Sequence, residues 1–110
     1  MKAAAAHSEN LDAVFAALAD STRRAIVERL VAKGELAVGD IAAPFEISAP
    51  AISRHLNVLE RAGLIERSRT AQLRPSRLRS EALKDVAEWL ETYRAFWEKS
   101  FDALEERLDG

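Results

Sequence analysis

The segment SAPAISRHLNVLERAG, residues 48–63, is the most informative part of this chain. Ser48 is a good N-cap, and Pro50 lies in the first turn, where its missing N–H does no harm. Gly63 marks the end of the helix. The segment therefore predicts a helix over about residues 48–62.

This helix has two different faces. At about 100° per residue, Ile52, Leu56 and Leu59 fall on one side and are expected to face the core. The opposite side is short, polar and basic, and its residues are Pro50, Ser53, Arg54, Asn57 and Arg61. Small residues let such a helix approach DNA closely, while Ser, Asn and Arg reach base edges and phosphates. The plainer alternative is an amphipathic surface helix.

The preceding residues favour the DNA interpretation. Helical spacing from Leu11 predicts a first helix, and a second begins at the N-cap Asp20 and ends at Gly34. Residues 35–37 read as an extended link and residues 38–43 as a short helix stopped by Pro44. A tight turn over residues 45–47 then leads into the helix at 48, which is typical of a helix-turn-helix motif.

His55 lies between the two faces of this helix. It could contact a phosphate or pack at the edge of the core, and the sequence favours a mixed role.

The residues after the helix predict a β-hairpin, or wing, over about residues 64–79. Residues 64–69 read as one strand, 70–73 as a loop and 74–79 as a return strand that Pro75 marks as an edge. The hairpin contains one acid, Glu66, and five arginines: Arg67, Arg69, Arg74, Arg77 and Arg79. Arginines on a projecting wing can enter a minor groove or hold phosphates. Alternatively, they pair with acids of the final segment.

Charge is distributed unevenly along the chain. The net charge is −2, yet residues 48–79 contain seven arginines and only two acids. Residues 80–110 contain four basic and nine acidic side chains. A positive middle segment is typical of a surface that binds a polyanion, although clustering on solvated faces would produce the same count.

The final segment predicts one long helix over about residues 81–108, capped by Ser80. Five of the chain's seven aromatic residues lie in it, and apolar residues recur at spacings of three and four. A helix of about 28 residues is too long for so small a domain to cover, which favours a dimer interface. A core helix and a pocket for a small hydrophobic inducer are the alternatives.

Composition excludes several classes of protein. The 110 residues fit a single domain, 1–110, and there is no cysteine for a disulfide or thiolate metal site. No apolar run could span a membrane and residues 1–7 do not resemble a signal peptide, so we expect a cytoplasmic protein. The sequence contains neither a nucleophile motif nor a glycine-rich phosphate loop, so we do not expect an enzyme.

Several motifs together resemble the ArsR/SmtB family of bacterial regulators. They are LADSTRRAI at residues 18–26, GDIA at 39–42, the segment from 48 to 59, and AGLI at 62–65. The tail WLETYRAFWE, residues 89–98, resembles the SdpR-like branch of that family. Departures from the family pattern are Ala49, Glu46 and a wing tip, residues 70–73, that lacks the usual glycine.

The resemblance implies a homodimeric winged helix-turn-helix repressor that leaves its operator when an inducer binds. The family's metal-sensing cysteines are replaced by Ala37-Val38-Gly39, and residues 80–110 contain no histidine. No metal site and no cofactor are therefore expected. The competing hypothesis is a ligand- or protein-interaction module that has lost DNA binding.

The prediction is thus a mainly α fold with a small β-hairpin, dimeric through its first and last helices. Its expected partners are double-stranded DNA and a second copy of itself. The predicted DNA-binding residues, some carried over from the family, are Ser48, Ala49, Ser53, Arg54, His55, Asn57, Arg61, Arg67, Arg69, Arg74 and Arg77. The predicted dimer residues are Leu11, Phe15, Trp89, Leu90, Tyr93, Phe96, Trp97, Phe101 and Leu104.

Overall fold

Helices account for most of the chain, and short strands separate them. The computed structural model describes residues 2–70 and 72–109, with side chains from residue 10 onward. The elements in chain order are α1 (Lys2–Leu18), α2 (Ser21–Lys33), β1 (Glu35–Leu36), α3 (Val38–Ala42), α4 (Ala49–Arg61), β2 (Ile65–Arg67), β3 (Ser76–Leu78), α5 (Ser80–Glu91) and α6 (Arg94–Asp109). The predicted mainly α fold with a small β-structure is confirmed.

Local capping groups explain where α2 and α4 begin and end. The Asp20 carboxylate accepts a hydrogen bond from the backbone N–H of Arg23 at 3.0 Å, and the Ser48 hydroxyl accepts one from that of Ala51 at 3.2 Å. Gly34 and Gly63 end the two helices with φ of 86° and 79°, a backbone conformation that favours glycine. These boundaries agree with the sequence prediction, whereas α1 begins at Lys2, well before the predicted start near Leu11.

The three strands form one antiparallel sheet in the order β1–β3–β2. The link at residues 35–37 therefore includes a strand, and the prediction that the return strand lies at an edge is wrong. Pro75 is compatible with the central strand β3 because it precedes the strand, and its carbonyl accepts from the N–H of Ser68 at 2.9 Å.

The wing loop contains the only non-glycine residue with positive φ among the described residues. Arg74 has a φ of 45°, immediately after the tip that lacks the usual glycine. The Cβ of an L-residue is crowded in this left-handed region, so the conformation costs free energy. Ala71, part of the predicted loop, lies outside the described residues.

The core forms where α1, α2, α3 and α4 meet the sheet. Ile52, Leu56 and Leu59 of α4 are each fully buried, as predicted. They pack in one cluster with apolar residues of the other elements, among them Val14, Ile26, Leu30, Ile41, Leu64 and Ile65. One face of α4 is thereby fixed inward and its other face is presented to solvent.

The predicted single helix over residues 81–108 is wrong, because the chain forms α5 and α6 with a turn between them. At the turn, Thr92 and Tyr93 donate backbone hydrogen bonds to the carbonyls of Trp89 and Leu90, three residues back, at 3.3 and 3.0 Å. These bonds replace the regular helical pattern, in which each N–H bonds four residues back. Ser80 is the first helical residue instead of the predicted cap, and the N-cap Arg79 makes no side-chain capping bond.

Helix α6 extends away from the core. Every one of its residues is described, and none is buried. The radius of gyration is 17.6 Å, whereas a compact domain of this length has about 13 Å. The apolar side chains of α6 are therefore left exposed.

The strain at Arg74 generates a stability prediction. We expect Arg74→Gly to be more stable than Arg74→Ala by about 1 kcal/mol, because only glycine relieves the left-handed backbone. The two variants lose the same guanidinium group, so chemical denaturation of both isolates the backbone effect. Equal free energies of unfolding would contradict the strain assignment.

Candidate nucleic-acid interface

The outer face of α4 carries most of the side chains predicted to bind DNA. Arg54, Asn57 and Arg61 are exposed, as are Ser48 and Ala49 at the start of the helix. The remaining two predicted residues, Ser53 and His55, are half-buried. Five of the seven residues therefore lie exposed on the outer face of α4 and at its N-terminal end, and Ser53 and His55 lie at the margins of that face.

Helix α3 and the turn that follows place α4 as the second helix of a helix-turn-helix. Ile41 is fully buried, and the N–H of Phe45 donates to the carbonyl of Ala42 at 2.9 Å to tighten the turn. From α2, the Arg29 side chain donates to the carbonyl of Asp40 at 2.8 Å. The pair of helices is thus held against the core.

His55 connects α4 to the corner between α1 and α2. Its Nδ1 lies 3.3 Å from an Arg23 Nη1 and 3.9 Å from an Asp20 carboxylate oxygen. Arg23 also donates to the carbonyl of Ala17 at 2.6 Å. The backbone hydrogen bond from Arg23 holds the pKa of Asp20 below its ordinary value. His55 therefore packs at the edge of the core, which is one part of the mixed role predicted for it. Its partner Arg23 was not predicted from the sequence.

Strand alternation separates the wing arginines into two groups. Ile65 is buried, so Arg67, two residues later, lies on the same inner side of the sheet, which faces α4. Its Nη1 donates to Oδ1 of Asn57 at 3.4 Å. Arg69 donates to both carboxylate oxygens of Glu60 at 2.9 and 3.0 Å. Both arginines therefore connect the wing to α4.

Arg77 lies on the other side of the sheet. In register it stands between Glu35 of β1 and Glu66 of β2, and its guanidinium pairs with Glu66. Within the part of the chain that the structure describes, Arg54, Arg61 and Arg74 are exposed and take part in no ion pair. Of the arginines predicted to bind DNA, these three are the ones that the protein leaves available to a polyanion.

The residues predicted to form a dimer lie on α1, α5 and α6. Phe15, Trp89 and Tyr93 form an exposed aromatic cluster, with ring centroids 5.3 Å apart for the first pair and 5.0 Å for the second. Leu90 and the α6 residues Phe96, Phe101 and Leu104 are also exposed, and Trp97 is half-buried. Leu11 is the exception: it is only 8% exposed, so the protomer already buries it.

Among the residues described, no helix is both long and apolar enough to cross a bilayer. The described side chains also include no group of three or more His, Cys, Asp or Glu residues placed to hold a metal ion.

Comparison with known proteins agrees with this geometry. A family model described as a helix-turn-helix domain matches residues 18–68, from the end of α1 to just past β2. The transcriptional repressor SdpR of Bacillus subtilis is 42% identical over 77 residues, which cover 70% of this chain and 84% of that protein.

Solved structures extend the similarity to the fold. The ArsR family transcriptional regulator RHA00566 superposes with a TM-score of 0.74 and 34% identity, covering 83% of this chain and 93% of its own. A homodimeric winged helix-turn-helix DNA-binding domain, Mb0332 of Mycobacterium bovis, superposes with a TM-score of 0.61 and 29% identity, covering 86% and 84%. The helix-turn-helix, the wing and these relatives together show that the chain belongs to the ArsR family of winged helix-turn-helix transcriptional regulators.

Proposed function

We propose that this protein is a homodimeric repressor that binds an inverted-repeat operator in double-stranded DNA. The observation that carries the proposal is the exposed polar and basic face of α4, whose opposite face is fully buried. A helix held in this way can enter a major groove without reorganising. The relative SdpR is a transcriptional repressor, which supports repression over activation of transcription.

In this proposal the contacts are divided among α4, its N-terminal end and the wing. Arg54 and Asn57 read base edges from the centre of the outer face. Arg61 and Arg74 contact phosphates or the minor groove, and Ser48, Ala49, Ser53 and His55 approach the backbone at the start of the helix. The other three wing arginines are proposed to hold the wing in place instead of contacting DNA, because each already contacts a side chain of the protein: Arg67, Arg69 and Arg77.

A concave surface on the side of α4 away from the wing supports a second backbone contact. It has a volume of about 310 Å³ and is lined by Arg23, Ala51, Arg54, His55 and Val58. Arg23 and His55, which lie there beside the base-reading Arg54, are the side chains proposed to face the phosphate chain that borders a major groove. The wing and this concavity would then hold the DNA backbone on either side of α4.

The dimer is proposed to form through the aromatic cluster and α6. Phe96, Phe101 and Leu108 are 74%, 66% and 78% exposed, which is a large apolar surface for a protein that remains in water. A twofold partner buries this surface with a copy of itself. The homodimeric state of Mb0332, a structural relative, supports the same assembly.

The first prediction from this function concerns Arg54 and Arg74. Preferred DNA is first selected from a random duplex library, and its binding to the variants is measured by fluorescence anisotropy over a salt series. Arg54→Ala should lose about 1–3 kcal/mol per half-site on that DNA and much less on scrambled DNA, because a base contact is removed. Arg74→Ala should weaken both DNAs similarly and lower the log–log salt slope by about one per contact.

Lys84→Ala is the matched control, since Lys84 is an exposed cation of α5 outside the proposed interface. It should bind both DNAs like the wild type. If Arg54→Ala binds the selected DNA as tightly as wild type, α4 does not enter the groove as assigned. A wild-type protein that binds no DNA at low salt would instead support the interaction-module alternative.

The second prediction concerns assembly. Wild-type protein should sediment at twice the protomer mass of 12.2 kDa at micromolar concentration. The variant Phe101→Glu/Leu104→Glu should sediment as a monomer, because each carboxylate would have to be buried in the interface. Val31→Glu is the control, as Val31 is 64% exposed on α2 and outside the proposed surface. A monomeric wild type, or a dimeric double variant, would overturn this interface.

A further inference from the structure

Arg67 lies between the wing and α4. In the sheet it is opposite Ser76, which is fully buried, so the stem of Arg67 lies on the inner side of the sheet. Its Nε is buried and has no hydrogen-bond partner within the described residues. At the end of the side chain, Nη1 reaches Oδ1 of Asn57 across 3.4 Å. The guanidinium is thus directed at α4, the recognition helix of the proposed function.

The charges around Arg67 explain why it contacts an amide. Glu60 is the nearby acid on α4, but Arg69 already pairs with both of its carboxylate oxygens. Burial lowers the pKa of Arg67, and the neighbouring Arg74 lowers it further. The ordinary pKa of an arginine is so high that the group nevertheless remains charged. A permanent cation therefore stands beside Asn57 and attracts the oxygen end of its carboxamide.

We propose that Arg67 is a positioning residue that orients Asn57 and so determines which base the recognition helix selects. This inference rests on the proposed operator binding. A carboxamide has one oxygen acceptor and one NH2 donor group, and the usual recognition of adenine by asparagine uses both. The oxygen keeps a second lone pair, so the effect is one of direction: the contact turns Oδ1 towards the wing and leaves the NH2 group, on the other side of the carboxamide carbon, to face the groove.

The proposed orientation has a definite consequence for specificity. An NH2 group alone is best matched by base atoms that accept hydrogen bonds. Guanine offers two adjacent acceptors, O6 and N7, on its major-groove edge, whereas adenine pairs its N7 with a donor at N6. Asn57 therefore selects guanine over adenine at the base pair that it faces, once in each half-site.

A direct phosphate contact by Arg67 is the competing role, and it has different signatures. A phosphate contact is independent of sequence and contributes about one to the log–log salt slope. A positioning role changes discrimination at one base pair and leaves the salt slope as it is. The two roles can therefore be separated in one titration series.

The experiment is a double-mutant cycle read out on DNA. Wild type, Arg67→Ala, Asn57→Ala and the double variant are titrated with the selected operator, with operators substituted at single base pairs, and with scrambled DNA, over a salt series. Thermal melting of each variant confirms folding. The base pair facing Asn57 is identified as the position at which Asn57→Ala loses its preference.

The expected result is that both single variants lose discrimination at that same base pair, by roughly tenfold per half-site. The double variant should lose no more than either single variant, because both act on one contact. The preferred base of the wild type at that position should be guanine. The salt slope should be the same for all four proteins.

Arg79→Ala is the matched control, because Arg79 is an exposed arginine at the end of the wing whose guanidinium lies near Glu81 of α5 and away from Asn57 and Glu60. It should keep the discrimination that Arg67→Ala loses. Relaxation of the same base pair by Arg79→Ala, a wild-type preference for adenine there, or a salt slope reduced by Arg67→Ala would each overturn the positioning role. Wild-type protein that binds no DNA would overturn the proposed function itself, and with it this inference.

Discussion

The rotational setting of α4 governs the whole surface proposed to face DNA. Ile52, Leu56 and Leu59 are fully buried, and burying each such side chain contributes about 1.5–3 kcal/mol. Turning the helix by one residue would replace them in the core with polar neighbours such as Ser53 and Asn57, which have no partners there. The hydrophobic core therefore determines which side chains α4 presents to solvent.

The wing depends on the same helix. Arg67 and Arg69 reach from the inner side of β2 and the following residues to Asn57 and Glu60 of α4. Such contacts are weak where they are exposed, but they give the hairpin a preferred position beside the helix. Part of the positive charge in residues 48–79 is consequently used inside the protein, and the arginines left to a polyanion are fewer than the sequence count suggests.

Much of this arrangement could be predicted, since it follows from local rules. The caps at Asp20 and Ser48 and the spacing of the α4 core residues are local signals, and the structure follows them. Strand β1 is only two residues long, too short for any periodicity. The turn between α5 and α6 contains neither glycine nor proline, so no breaker residue marks it. The alternation through Ile65 is visible in the sequence and assigns Arg67 to the inner side of the sheet, whereas a count of arginines does not distinguish the two sides.

Contacts between distant segments could not be predicted in this way. Arg23 and His55 are 32 positions apart in the chain, and only the packing of α2 against α4 brings them together. The contact connects α2, which is capped by Asp20, to α4, so the α1–α2 corner also helps to set the position of α4. The motif at residues 18–26 and the motif at residues 48–59 are thus in direct contact in the folded protein.

Charge and apolar surface are arranged in a complementary way along the chain. The final segment, residues 80–110, combines an acidic excess with the exposed aromatic residues of α5 and α6. In the proposed dimer, the aromatic side chains become buried while the acids remain in water and repel the DNA backbone. The basic residues of α4 and the wing attract it. In that proposed assembly the final segment faces a second protomer and the basic residues face DNA, so that the field of the protein would orient the DNA towards α4 before any base is contacted.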